Sequence, residues 1–152
     1  MADLNWCKRQ NKGIKFIEPN DNLCKDYLQS AEETLLVLRD IENKSRIWLA
    51  TTKYYFEYFT FYALLMKLGI KCEIHDCTLL LCKLLEEKNI IHKGTYKMLE
   101  DDKELRTDNQ YYLKNREVKI NYSELTDFIL NIKSIINSLT KEKIEKIRKQ
   151  LD

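Results

Sequence analysis

The chain has 152 residues, enough for one domain to bury a sizeable core without disulfides or metal. Its 26 lysines and arginines nearly balance 24 aspartates and glutamates, so net charge gives no argument for a nucleic-acid partner. With one proline, three glycines and little valine beside abundant leucine, isoleucine, lysine and glutamate, the composition argues against a turn-rich sheet and predicts an all-α protein.

The charges are unevenly spread. A basic N-terminal arm, about residues 1–20, carries Lys8, Arg9, Lys12 and Lys15 and ends at Pro19. The stretch from Asp21 to Glu42 is acidic, and the end from Lys141 is basic again. Five cysteines are an odd number and the first residues are polar, so reduced thiols and a cytoplasmic location are expected. The longest uncharged run in the most apolar region, Tyr58 to Met66, falls far below the roughly 18 residues of a membrane span, and no transmembrane helix is expected.

After Pro19, the residues Asn20, Asp21 and Asn22 are candidate N-caps for a first helix, with Leu23, Tyr27, Leu28, Ala31, Leu35 and Leu38 at helical spacing. Ser45 predicts the start of a second helix that runs to about Leu68 and stops at Gly69, about 35 Å at the usual rise per residue. Eight of the sixteen aromatic residues lie between Trp48 and Tyr62 on more than one face, which implies several neighbouring helices or another subunit. Asp76 is the expected N-cap of a third helix with Leu79, Leu80, Leu84 and Leu85 inward, and Thr95 that of a fourth reaching Tyr112. Asn121 or Ser123 starts a fifth, whose stripe of Leu125, Phe128, Ile129, Ile132, Ile135, Ile136 and Leu139 can extend through Ile144, Ile147 and Leu151. Short connections favour a single domain, an up-and-down bundle of about five helices.

Few motifs carry chemistry. Cys72, Cys77 and Cys82 with His75 match no common zinc spacing, so buried free thiols are expected and neither metal nor cofactor is assigned. His75 lies beside Asp76 at a helix start, where it either fixes the corner or serves chemistry; His92 reads as a loop residue. No glycine-rich phosphate loop, paired acidic metal motif or Ser/His/Asp arrangement is visible. What remains is RTDNQYY, in which Arg106 and Gln110 share a helix face with Asn109 beside them. A guanidinium, two amides and a phenol on one strip suit a phosphate and a base, or a polar network between helices.

Four segments taken together carry a resemblance: NWCKRQNKGIKFIEPNDNL, AEETLLVLRDIE, SRIWLATTKYYFEYFTFYALLMKLGIKCEIHD and LRTDNQYYL. In this order, over nearly the whole chain, they resemble the small stand-alone prokaryotic branch of the HEPN family (higher eukaryotes and prokaryotes nucleotide-binding). The most specific part is the second helix, with Tyr54, Tyr55, Ala63, Leu64 and Leu65 followed by Gly69 and His75. The resemblance implies a dimeric helical bundle that binds nucleotide or RNA, in many members a metal-independent ribonuclease and in others the partner of a small nucleotidyltransferase. It places Arg106 at the family arginine and implies binding roles for Tyr54, Tyr55, His75, Asn109, Gln110 and Tyr111. The family histidine, a few residues after the arginine, is absent here, where Gln110, Tyr111 and Tyr112 stand instead. Tyrosine, with a pKa of about 10, is a much weaker base at neutral pH than histidine. A binding module is therefore expected first; the alternative is a ribonuclease in which Arg106 stabilises charge while Tyr111, Tyr112 or His75 moves protons.

Overall fold

A computed structural model describes residues 3–152; Met1 and Ala2, the first residues of the expected basic arm, lie outside them. The order is α1 (Leu4–Arg9), β1 (Lys15–Phe16), α2 (Asp21–Asp40), α3 (Arg46–Leu68), β2 (Ile70–Lys71), α4 (His75–Glu87), α5 (Thr95–Gln110), α6 (Tyr122–Ser138) and α7 (Lys141–Leu151). The fold is mostly helical, with seven helices among the described residues rather than five.

Local chemistry explains most boundaries. Side chains of Asn20, Ser45, Asn121 and Thr140 accept hydrogen bonds from the first turns of α2, α3, α6 and α7. Two expected caps differ. Helix α4 begins at His75 with Ile74 as an N-cap that makes no side-chain bond, so Asp76 lies inside the first turn, where its charge suits the helix dipole. Gly94, at φ 95°, precedes α5, and Thr95 instead turns its hydroxyl back to the His92 carbonyl, 2.7 Å away. The expected arm folds into α1, capped by Asp3, and β1, which pairs antiparallel with β2.

Helix α3 is the spine, packed most extensively against α2, then against α5, and also against α6 and α7. Tyr54, Phe56, Phe61, Leu64, Leu65 and Leu68 are fully covered. The aromatic residues on several faces of α3 are thus met by helices of the same chain; Trp48, 57% exposed, is the exception. Gly69 ends α3 in the left-handed region, φ 73°, with its N–H on Leu65 and Met66 carbonyls. Arg148 from α7 closes that end, its Nη1 donating to the carbonyls of Ile17, Leu68 and Gly69 at 2.8, 2.9 and 2.7 Å.

The cysteines depart from expectation. Cys7 of α1 and Cys77 of α4 form a disulfide, their Cα atoms 5.8 Å apart across 70 residues of sequence. Cys24, Cys72 and Cys82 are buried thiols; burial pushes Cys24 up to about 11 and Cys82 further still. Cys77 is therefore committed to Cys7 rather than grouped with Cys72 and Cys82. No helix among the described residues is long and apolar enough to cross a membrane.

Candidate functional site

Helices α3 and α5 run side by side, and their contact is a polar seam within an otherwise apolar core. Asp102, Arg106 and Gln110 stand at successive turns of α5 and meet Lys53, Tyr55 and Thr51 of α3. The central turn holds Arg106. Its Nη1 donates to the Tyr55 hydroxyl at 3.2 Å, and its guanidinium carbon lies 5.0 Å from the Tyr54 ring centre and 5.6 Å from that of Tyr55. Among the described residues no carboxylate pairs with Arg106, and its Nε is buried without a hydrogen-bond partner. Two aromatic faces and one phenol solvate this cation only partly, so an anion arriving here would meet an unneutralised guanidinium.

His75 reaches the same cluster from the first turn of α4. Its ring stacks on Tyr58, 4.3 Å between centres at 14°, and its Nδ1 is 2.9 Å from the Tyr54 hydroxyl. Burial, then the charges of Arg106 and Lys103, hold its pKa below the usual 6.5, so the ring is neutral at pH 7. Burial pushes the Tyr54 phenol far up, and Tyr54 keeps its proton. When Nδ1–H donates to that hydroxyl, Nε2 is a free base; when the hydroxyl donates to Nδ1, Nε2 carries the hydrogen. Beside the cluster a groove of about 460 Å³ runs between α4 and α5, lined by Leu79, Leu80, Lys83, Tyr96, Glu100, Glu104 and Thr107, with the Asp76–Lys103 ion pair at its edge. Arg106 and His75 lie next to this groove and do not line it.

Four side chains singled out in sequence, Tyr54 and Tyr55 of α3, His75 of α4 and Arg106 of α5, are thus brought together. The others are not. Asn109 is fully buried and its amide is used up on the main chain, donating to the carbonyls of Arg46 and Arg116 and accepting from the Arg116 N–H. It folds the segment after α5 rather than facing a ligand. Gln110 meets the Thr51 hydroxyl at 3.4 Å. Tyr111 caps the end of α5 and is 64% exposed, with Tyr112 and Leu113 equally open beyond it, so Tyr111 does not join Arg106 in one cleft of this chain. Sequence reasoning missed Tyr58, Lys53, Glu57 and Asp102. The available signals were Tyr58 one turn after Tyr54, and a lone acid, Glu57, in an apolar helix one turn after Lys53.

No family model, curated protein or solved structure matches this chain.

Proposed function

We propose that this chain is a nucleotide- or RNA-interacting module, an up-and-down HEPN-like bundle, in which Arg106 receives a phosphate beside the rings of Tyr54 and Tyr55. The observation that carries the reading is the unpaired Arg106: a half-buried guanidinium without a carboxylate, resting on two tyrosines, is arranged for an external anion. The half-buried Tyr55 ring next to the cation suits the two parts of a nucleotide, phosphate and base, while the fully covered Tyr54 backs the guanidinium. The resemblance noted in the sequence adds the rest: a homodimer that works with a small nucleotidyltransferase or another toxin-antitoxin or defence partner.

A second reading, metal-independent RNA cleavage, is favoured by one specific observation. A neutral His75 bonded to Tyr54 stands in the cluster with Arg106, supplying from α4 the proton-transfer group that the α5 motif lacks. In that reading His75 takes the proton of the 2′-hydroxyl, the 2′-oxygen bonds to phosphorus as the P–O5′ bond breaks, the 5′-oxygen leaves and takes a proton from water to give a 2′,3′-cyclic phosphate end, and Arg106 stabilises the charge on the non-bridging oxygens. Labelled RNA incubated with the protein under chelation separates the two. Binding lost in Arg106→Ala without any cleavage by the wild type indicates the module. Cleavage lost in both Arg106→Ala and His75→Gln indicates the enzyme, and wild-type protein that neither binds nor cleaves refutes both.

A further inference from the structure

One turn before Arg106, the α3–α5 seam holds a buried group that neither reading uses. Glu57 is 0% exposed, and neither of its carboxyl oxygens has a hydrogen-bond partner. Lys53 sits between two acids, 2.9 Å from Asp102 Oδ2 and 3.9 Å from Glu57 Oε2, and its hydrogen bond goes to Asp102. An ionised Glu57 would be a desolvated anion beside a second anion, with no donor for either oxygen. As an acid it has a hydrogen to give, and Asp102, which shares Lys53 with it, is the neighbouring carboxylate.

We propose that Glu57 is kept as a neutral carboxylic acid donating to Asp102, and that this proton-bridged pair, tied by Lys53, is the positioning clamp that seats Arg106 on Tyr54 and Tyr55. The placement makes the link direct. Asp102 precedes Arg106 by one turn on α5, and Lys53 immediately precedes Tyr54 and Tyr55 on α3, so whatever fixes Lys53 against Asp102 fixes the register of the next turn. The charged and titratable groups that act on the clamp are few: Asp102 from α5 and Lys53 from α3 on Glu57, Glu124 from α6 on Lys53, and the Tyr54 phenol, which feels Glu57 in return. Removing the shared proton sets two anions against one lysine and loosens the seam at Arg106, so the site is held while Glu57 keeps its proton and released when Glu57 ionises.

The clamp regulates the Arg106 site and takes its significance from the function proposed above, yet it is read without any ligand. The test is an NMR titration of the full chain with ¹³C-labelled glutamate and ¹⁵N-labelled arginine, assigned by triple resonance and by Glu57→Gln and Arg106→Lys. The Glu57 carboxyl carbon is expected at the protonated position at pH 7, and the Arg106 Nε signal is expected to move only in the step in which Glu57 titrates. Glu57→Gln keeps a donor to Asp102; it should leave Arg106 Nε in place at neutral pH and abolish that step. A Glu57 carbon already in its carboxylate position at pH 7, or an Arg106 signal that is blind to Glu57, overturns the proposal. Should Glu57→Gln fail to fold, the neutral-pH position of the wild-type Glu57 carbon still decides. A clamp that fails while phosphate binds, or the reverse, distinguishes this inference from the functional one.

Discussion

Asn109 shows how a single side chain can be misassigned by its neighbours in sequence. Its three hydrogen bonds to main-chain groups fix the turn that carries Leu113 and Asn115, at φ 51° and 53°. Asn109→Ala leaves the part-buried Arg116 N–H and the carbonyls of Arg46 and Arg116 without this partner and should cost about 1–3 kcal/mol, seen as a lower Tm. His75 and Glu57 give the pH dependence of stability opposite signs. The depressed His75 pKa means that the folded state binds fewer protons than the unfolded chain, so its contribution is lost as pH falls below 6.5 toward the folded value. The raised Glu57 pKa means the reverse, a contribution present below 4.5 and lost as pH rises toward the folded value. Denaturant titrations across pH should therefore show His75→Gln flattening the loss of stability as pH falls below 6.5 and Glu57→Gln flattening the loss as pH rises from 4.5; unchanged profiles would contradict these environments.

At the level of elements, α2, α3 and α6 were legible because each has an amphipathic or apolar run behind a good cap, and α3 ends at the one residue type that turns left-handed without strain. Gly69→Ala would strain that turn and collide with the Arg148 guanidinium and the Ile17 carbonyl, so a loss of about 1 kcal/mol or more in stability is expected by thermal denaturation. Helix α7 was read as an extension of α6 because Ile144, Ile147 and Leu151 continue its apolar spacing. The extended backbone at Leu139 and the Thr140 cap break the two apart. Helix α1 has only six residues, and propensity alone cannot hold so short a helix; the disulfide at Cys7 and its packing on α4 are tertiary and invisible in a local pattern. The same limit applies to the site. Arg106 and the two tyrosines stand out by type, but helical spacing cannot say which face of α5 meets α3, and Asn109 proved to point into the protein while Tyr111 points out of it.

For the whole molecule, the Cys7–Cys77 bond closes a 70-residue separation, and losing it through Cys7→Ser with Cys77→Ser should cost about 2–5 kcal/mol. Denatured protein without reductant should yield three titratable thiols, Cys24, Cys72 and Cys82, rather than five. The proposed self-association has a changed basis. Its own helices cover α3, and the exposed apolar side chains Trp48, Tyr111, Tyr112 and Leu113 sit where the start of α3 meets the end of α5. If this end joins two copies, Tyr111→Asp should shift sedimentation from dimer toward monomer, whereas a wild-type monomer at micromolar concentration would remove the dimer from the proposal.

The unpaired guanidinium of Arg106 is the centre of the functional reading, and calorimetric titration of a short single-stranded RNA into wild-type and Arg106→Ala protein, with chelator present, tests it most directly. The expected result is a loss of about 1.5–3 kcal/mol of binding free energy in Arg106→Ala, the range of a charge-assisted hydrogen bond, with the Tm nearly unchanged. Equal affinity in the two proteins together with a lowered Tm in the variant would show that Arg106 serves only the α3–α5 seam, and would contradict the anion site.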